Sequence, residues 1–125
     1  MDWVVHIGLV ELALGGVLGW AMVVRDERPE WLRRIGVVAP QRIRQVHLDY
    51  VMMGLILIGV GLAVPDLPTA VAVALVFGTI VNPFLFVPLA FDPDAEKRLW
   101  YRAVAVVSFI GVSGGLVVAA IVGPS

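Results

Sequence analysis

With 125 residues, 60% hydrophobic and only 15% charged, and a mean hydropathy of +0.95, the chain lies outside the range of soluble domains, where about 25% of residues are charged. It reads as an all-α integral membrane protein. A net charge of −1 and a pI near 6.0 argue against a nucleic-acid partner, and the absence of cysteine excludes disulfides and thiolate ligands, so any metal must be held by nitrogen, oxygen or thioether.

A hydrocarbon core about 30 Å thick takes roughly 20 apolar residues at about 1.5 Å each. Four segments qualify, at about 3–24, 46–64, 68–91 and 99–122. They predict one membrane domain, residues 1–125, built as an antiparallel up-down four-helix bundle. The first segment has Asp2 where a signal peptide would be basic, and it lacks a small-residue cleavage pattern, so it is expected to be retained. It carries two ionisable residues: counted from the outer end, His6 lies at roughly 5 Å and Glu11 at about 12 Å. His6 reads either as an interfacial histidine or, with Glu11, as part of a second site on the outer side. A neutral Glu11 making a helix contact is the alternative for the carboxyl.

The connection at 25–45 holds Arg25, Arg28, Arg33, Arg34, Arg42 and Arg44; that at 92–98 holds Lys97 and Arg98, with Arg102 just beyond. The Val64–Pro68 turn has no basic residue. The positive-inside rule therefore makes 25–45 and 92–98 cytoplasmic loops and puts both termini outside the plasma membrane. Trp3, Trp20, Trp100 and Tyr101 fall near span ends, where amphipathic rings settle at headgroups. In "PEWLRRIGVV", Trp31 and Ile35 stand four apart beside Arg33 and Arg34, a pattern open to a short interfacial helix or an irregular basic loop.

The second segment opens with "RQVHLDYVMMG", which puts His47 roughly 8 Å, Tyr50 roughly 12 Å and Met53 roughly 16 Å from the inner face. His47, Gly54 and Gly61 are spaced by seven and share one stripe, with Val51 and Ile58 beside them. Glycine there admits either a flat ligand or a second helix. Asp49 is expected to pair with Arg42, Arg44 or Arg102, and Met52 and Met53 read as core filler. In the third segment Asn82 precedes Pro83 at about 9 Å from the inner face, level with His47. Its amide either repairs the proline's missing hydrogen bond or lines a site. His6 and His47, some 15 to 20 Å apart along the axis, cannot hold one ion within a subunit. Gly15, Gly16 and Gly19 in the first segment, and Gly111, Gly114 and Gly115 in the fourth, read as packing faces.

A neutral imidazole is the commonest transition-metal ligand, and His47 over a glycine face suits haem, which needs an axial ligand and a flat slot. Arg33, Arg34, Arg42 and Arg44 would meet its propionates. The alternative is a metal-free bundle in which His47, Asp49 and Asn82 form an interhelical hydrogen-bond network.

"HLDYVMMG" (His47 to Gly54) resembles the second-helix pattern of the four-span family containing styrene oxide isomerase and hydroxylaminobenzene mutase. "FGTIVNPF" (Phe77 to Phe84) is similar to its third-helix stretch, centred on an asparagine, and "HIGLVELALGGVLGW" (His6 to Trp20) to its first helix. The resemblance covers the first three spans. It implies a homotrimer with haem b held near subunit interfaces by His47, beside Gly54 and with Arg42 and Arg44 at the rim. The ferric iron would act as Lewis acid on an epoxide oxygen. A small hydrophobic substrate would lie among Tyr50, Met53, Gly78, Asn82 and Phe86. The chain departs from the family pattern where Met53 replaces an asparagine, and where Gly78 and Phe86 stand in place of an aspartate and a tyrosine. Those substitutions leave open a different, more apolar substrate, or haem binding without isomerisation, as in an electron-transfer or partner subunit.

Overall fold

The computed structural model describes residues 1–124 and is helical, with no strand among them. Its elements are α1 (Asp2–Glu27), α2 (Pro29–Arg34), α3 (Gln41–Ala63), α4 (Thr69–Phe84), α5 (Phe86–Phe91), a 3₁₀ turn (Pro93–Lys97) and α6 (Leu99–Val122). Four stretches are long and apolar enough to cross a bilayer: Asp2–Glu27, Gln41–Ala63, Thr69–Phe91 and Leu99–Val122. Helices satisfy every internal backbone group without water, which hydrocarbon demands. Large apolar side chains such as Leu62, Trp20 and Ile121 are turned outward, as lipid contact in a multi-pass membrane protein requires.

The four segments expected from hydropathy coincide with these helices, except that α3 starts at Gln41, five residues before the apolar run. Gln41 to Gln45 are polar, so hydropathy alone passes over them, yet Arg and Gln are good helix formers and Pro40 precedes them at the cap.

The "PEWLRR" stretch is helical. Pro29 occupies the first turn of α2, where its missing N–H costs nothing. Gly36, at φ +98°, ends it. The N–H of Gly36 bonds the Arg33 carbonyl at 3.1 Å, and that of Val37 bonds the Leu32 carbonyl at 3.0 Å, the paired closure of a Schellman turn. Leu32 and Val37, both buried, pack together across it.

The third span is broken at Leu85, between α4 and α5. Pro83 and Pro88 each remove a backbone donor, leaving carbonyls one turn back short of partners. Two tyrosine hydroxyls come to this region: Tyr50 donates to the Ile80 carbonyl and Tyr101 to the Leu85 carbonyl, each at 2.8 Å. Tyr101 is therefore not a headgroup aromatic. It is buried at 8% exposure, whereas Trp3, Trp20 and Trp100 are exposed.

The helices pack chiefly as two pairs, α1 with α3 and α4 with α6, joined where α3 meets α4 and α5. Along the first pair, Met1 and Val5 meet Gly61, Gly8 meets Gly54, Gly15 meets Val51, and Gly19 meets His47. The shared core holds Val4, Leu57, Ala72, Leu75 and Val112.

Candidate functional site

The surroundings of His47 follow from how closely α1 and α3 approach. A Cβ on Gly8 would sit 2.8 Å from the Gly54 carbonyl oxygen, and one on Gly54 only 2.7 Å from the oxygen of Gly8 and the nitrogen of Leu12. No side chain fits between these backbones. The approach brings His47 Nδ1 to 2.6 Å from the Gly15 carbonyl oxygen, with Gly19 leaving room for the ring: a Cβ there would meet Cε1 at 3.4 Å. A carbonyl can only accept, so Nδ1 carries the hydrogen and donates it. In the neutral ring Nε2 is then the lone-pair nitrogen. The residue is half-buried.

The same geometry corrects the expected use of Gly54. Its open face is filled by the α1 backbone, so the His47, Gly54, Gly61 stripe receives a helix and is no slot for a flat group within one chain. Sequence spacing located the stripe but could not say which of the two occupants it serves.

The residues expected to line a substrate pocket do not converge within one chain. Gly78 faces α6, where an added Cβ would lie 2.5 Å from the Ser108 carbonyl oxygen. Asn82 faces α6 too, with its Oδ1 at 3.3 Å from Ser108 Oγ. Met53 is buried in the core beside Leu57, where it fills space and lines no pocket with the others. Phe86 is half-buried under the Arg42 guanidinium, 5.9 Å from the ring centre. Tyr50 is spent on the Ile80 carbonyl. That bond ties α3 to α4, yet His47 faces α1 and Asn82 faces α6.

Arg42 is held by Gln45 Oε1 at 2.9 Å and by Glu96 at 4.0 Å, whereas Arg44, three residues before His47 on α3, is exposed. Asp49 was expected to pair with an arginine. Among the described residues it makes no ion pair, and Arg42 goes to Glu96 instead. His6 is exposed and Glu11 buried at 3% exposure, so the two do not share a site; five residues on a helix turn them roughly 140° apart.

One constellation escaped the sequence. Thr79 Oγ1 lies 3.0 Å from Glu11 Oε2 and 2.9 Å from the Val76 carbonyl oxygen, completely buried between α1 and α4. The threonine has a single hydroxyl hydrogen and can donate to only one of them. Both contacts are satisfied when the carboxyl group supplies the second hydrogen. Glu11 Oε1 has no partner among the described residues. A threonine three places before Asn82 in an apolar run was the available signal; its pairing with α1 was not readable.

Among the described residues no three His, Asp or Glu side chains converge as a metal site; haem asks for only one or two axial ligands. No protein-family model matches the chain, and comparison with curated proteins and with solved structures finds no match either.

Proposed function

We propose that the chain is a haem-b-binding membrane protein of the styrene oxide isomerase type, with His47 Nε2 as the axial ligand. In this reading the spans run antiparallel, both termini lie outside the plasma membrane, and three copies assemble. The supporting observation is the 2.6 Å contact of Nδ1 with the Gly15 carbonyl. Ligating histidines characteristically donate their other ring N–H to a carbonyl or carboxylate, which fixes tautomer and orientation.

The donor fits the group; the slot inside one chain does not, since α1 fills it. A haem held by His47 would therefore have to sit on the outer side of the α1 and α3 pair, at a contact with a second copy. Gly16 on α1 faces open space, and Arg44 stands one turn from His47 on α3, where it would meet a propionate. When bound, the ferric iron supplies a Lewis acid that polarises an oxygen of a small hydrophobic substrate arriving from the lipid. The chain's own residues bind and orient: the Gly15 carbonyl holds the imidazole through its Nδ1 hydrogen. Detergent-purified protein made with ample haem should show a Soret band that His47→Ala abolishes. A colourless wild type under those conditions refutes the proposal.

The polar contacts favour one rival. Ser108 with Asn82, Tyr50 with the Ile80 carbonyl and Thr79 with Glu11 each pin two helices, which is all that a metal-free bundle needs of them. The same spectrum separates the two readings.

A further inference from the structure

We infer that the basic end of the bundle carries a binding site for an anionic phospholipid, separate from His47. Two clefts meet there across Leu32 and Val37, which line both. The first, ≈ 560 Å³, lies where α1, α2 and the loop to α3 come together, and its charged lining consists of Arg25 and Arg33. The second, ≈ 220 Å³, runs between α1, α3 and α5 and is lined by apolar side chains only, among them Leu18, Ala21, Ile43 and Phe91. Among the described residues, no acidic one lines either cleft.

The wall between them is fixed. The Schellman turn at Gly36 clasps Leu32 to Val37, and the N–H groups of Val38 and Ala39 bond the Ala90 carbonyl at 2.8 and 3.0 Å, fastening the loop to α5. Arg25 gives its Nε to Asp26 at 3.2 Å, which leaves its terminal nitrogens for another anion. Two guanidinium groups around one cleft suit a phosphate, which their planar forks can grip through paired hydrogen bonds. The adjoining apolar cleft has nothing to offer a free phosphate but accepts an acyl chain attached to one. Exposed Val38 lines the first cleft and exposed Ile35 the second, the mixture of apolar and basic groups expected where headgroups meet hydrocarbon. Charge and shape thus call for one amphiphile with its phosphate between the arginines and its chain beyond Leu32.

The test is native mass spectrometry of the full chain in detergent with dioleoyl-phosphatidylglycerol, matched phosphatidylcholine, or glycerol phosphate. One phosphatidylglycerol per chain should be retained. Apparent affinity should fall about tenfold in the Arg25→Gln, Arg33→Gln double variant, and His47→Ala should leave it unchanged. Ala21→Phe, which fills the apolar cleft, should weaken binding comparably. If that variant fails to fold, dihexanoyl-phosphatidylglycerol replaces it and should bind more weakly to the wild type than the dioleoyl lipid. Equal retention of phosphatidylcholine, or undiminished binding to the arginine variant, would overturn the charge argument. Displacement by glycerol phosphate, or indifference to chain length, would overturn the role of the apolar cleft.

Discussion

Glu11 shows how much one side chain's hydrogen count can decide. Its carboxyl touches a threonine hydroxyl that is also within reach of its own helix's carbonyl, and buried polar groups are costly to leave unmatched. An infrared band of a protonated carboxyl group is expected in the wild type and should be missing in Glu11→Gln. That variant should preserve the fold, since an amide can also donate to Thr79. Tyr50→Phe removes the donor to the Ile80 carbonyl at the broken third span. Interhelical hydrogen bonds in membranes average about 0.6 and reach about 1.7 kcal/mol, so a loss in that range is expected in detergent unfolding, with any Soret band unchanged.

Between helices, glycine sets the separation of the axes. Gly78 and Gly114 test this in one pair. A methyl group on Gly78 would come within 2.5 Å of the Ser108 carbonyl oxygen, a backbone atom that cannot swing aside, whereas Gly114 meets nothing within 4 Å. Overpacking a tight contact costs about 1–3 kcal/mol. Gly78→Ala should therefore destabilise the protein by at least that much, and Gly114→Ala should change unfolding by less than about 0.5 kcal/mol. Similar values for both would mean that α4 and α6 do not meet as described. The presence of glycine stripes was legible in the sequence. Which glycines touch a neighbouring backbone was not, because spacing by three, four or seven defines a face without saying what lies against it.

For the whole molecule, the two helix pairs leave α1 and α6 on separate flanks, and much of the apolar side-chain surface turns outward. Protease-sensitive tags at both termini should be cleavable from outside intact cells; protection of the C-terminal tag would reverse the topology drawn from the basic loops. If three copies enclose a haem at the outer side of α1, then Gly16→Trp, which puts bulk on an open face, should shift the detergent-corrected mass toward the monomer and lower the Soret absorbance together. A mass shift with absorbance intact would detach the haem from the interface.

Composition by itself determined that this chain is helical and membrane-embedded, because hydrocarbon permits few ways to satisfy a backbone and runs of about 20 apolar residues can be counted directly. Helical rise likewise set the expected depths of His47, Glu11 and Asn82. Direction around each axis was decided only by tertiary packing. It turned Gly54 and His47 toward α1, Asn82 and Gly78 toward α6, Glu11 toward Thr79 and Tyr101 into the interior. The reason is physical: a helix offers its residues to every side at once, and only the helices that close against it settle which of those sides becomes a contact.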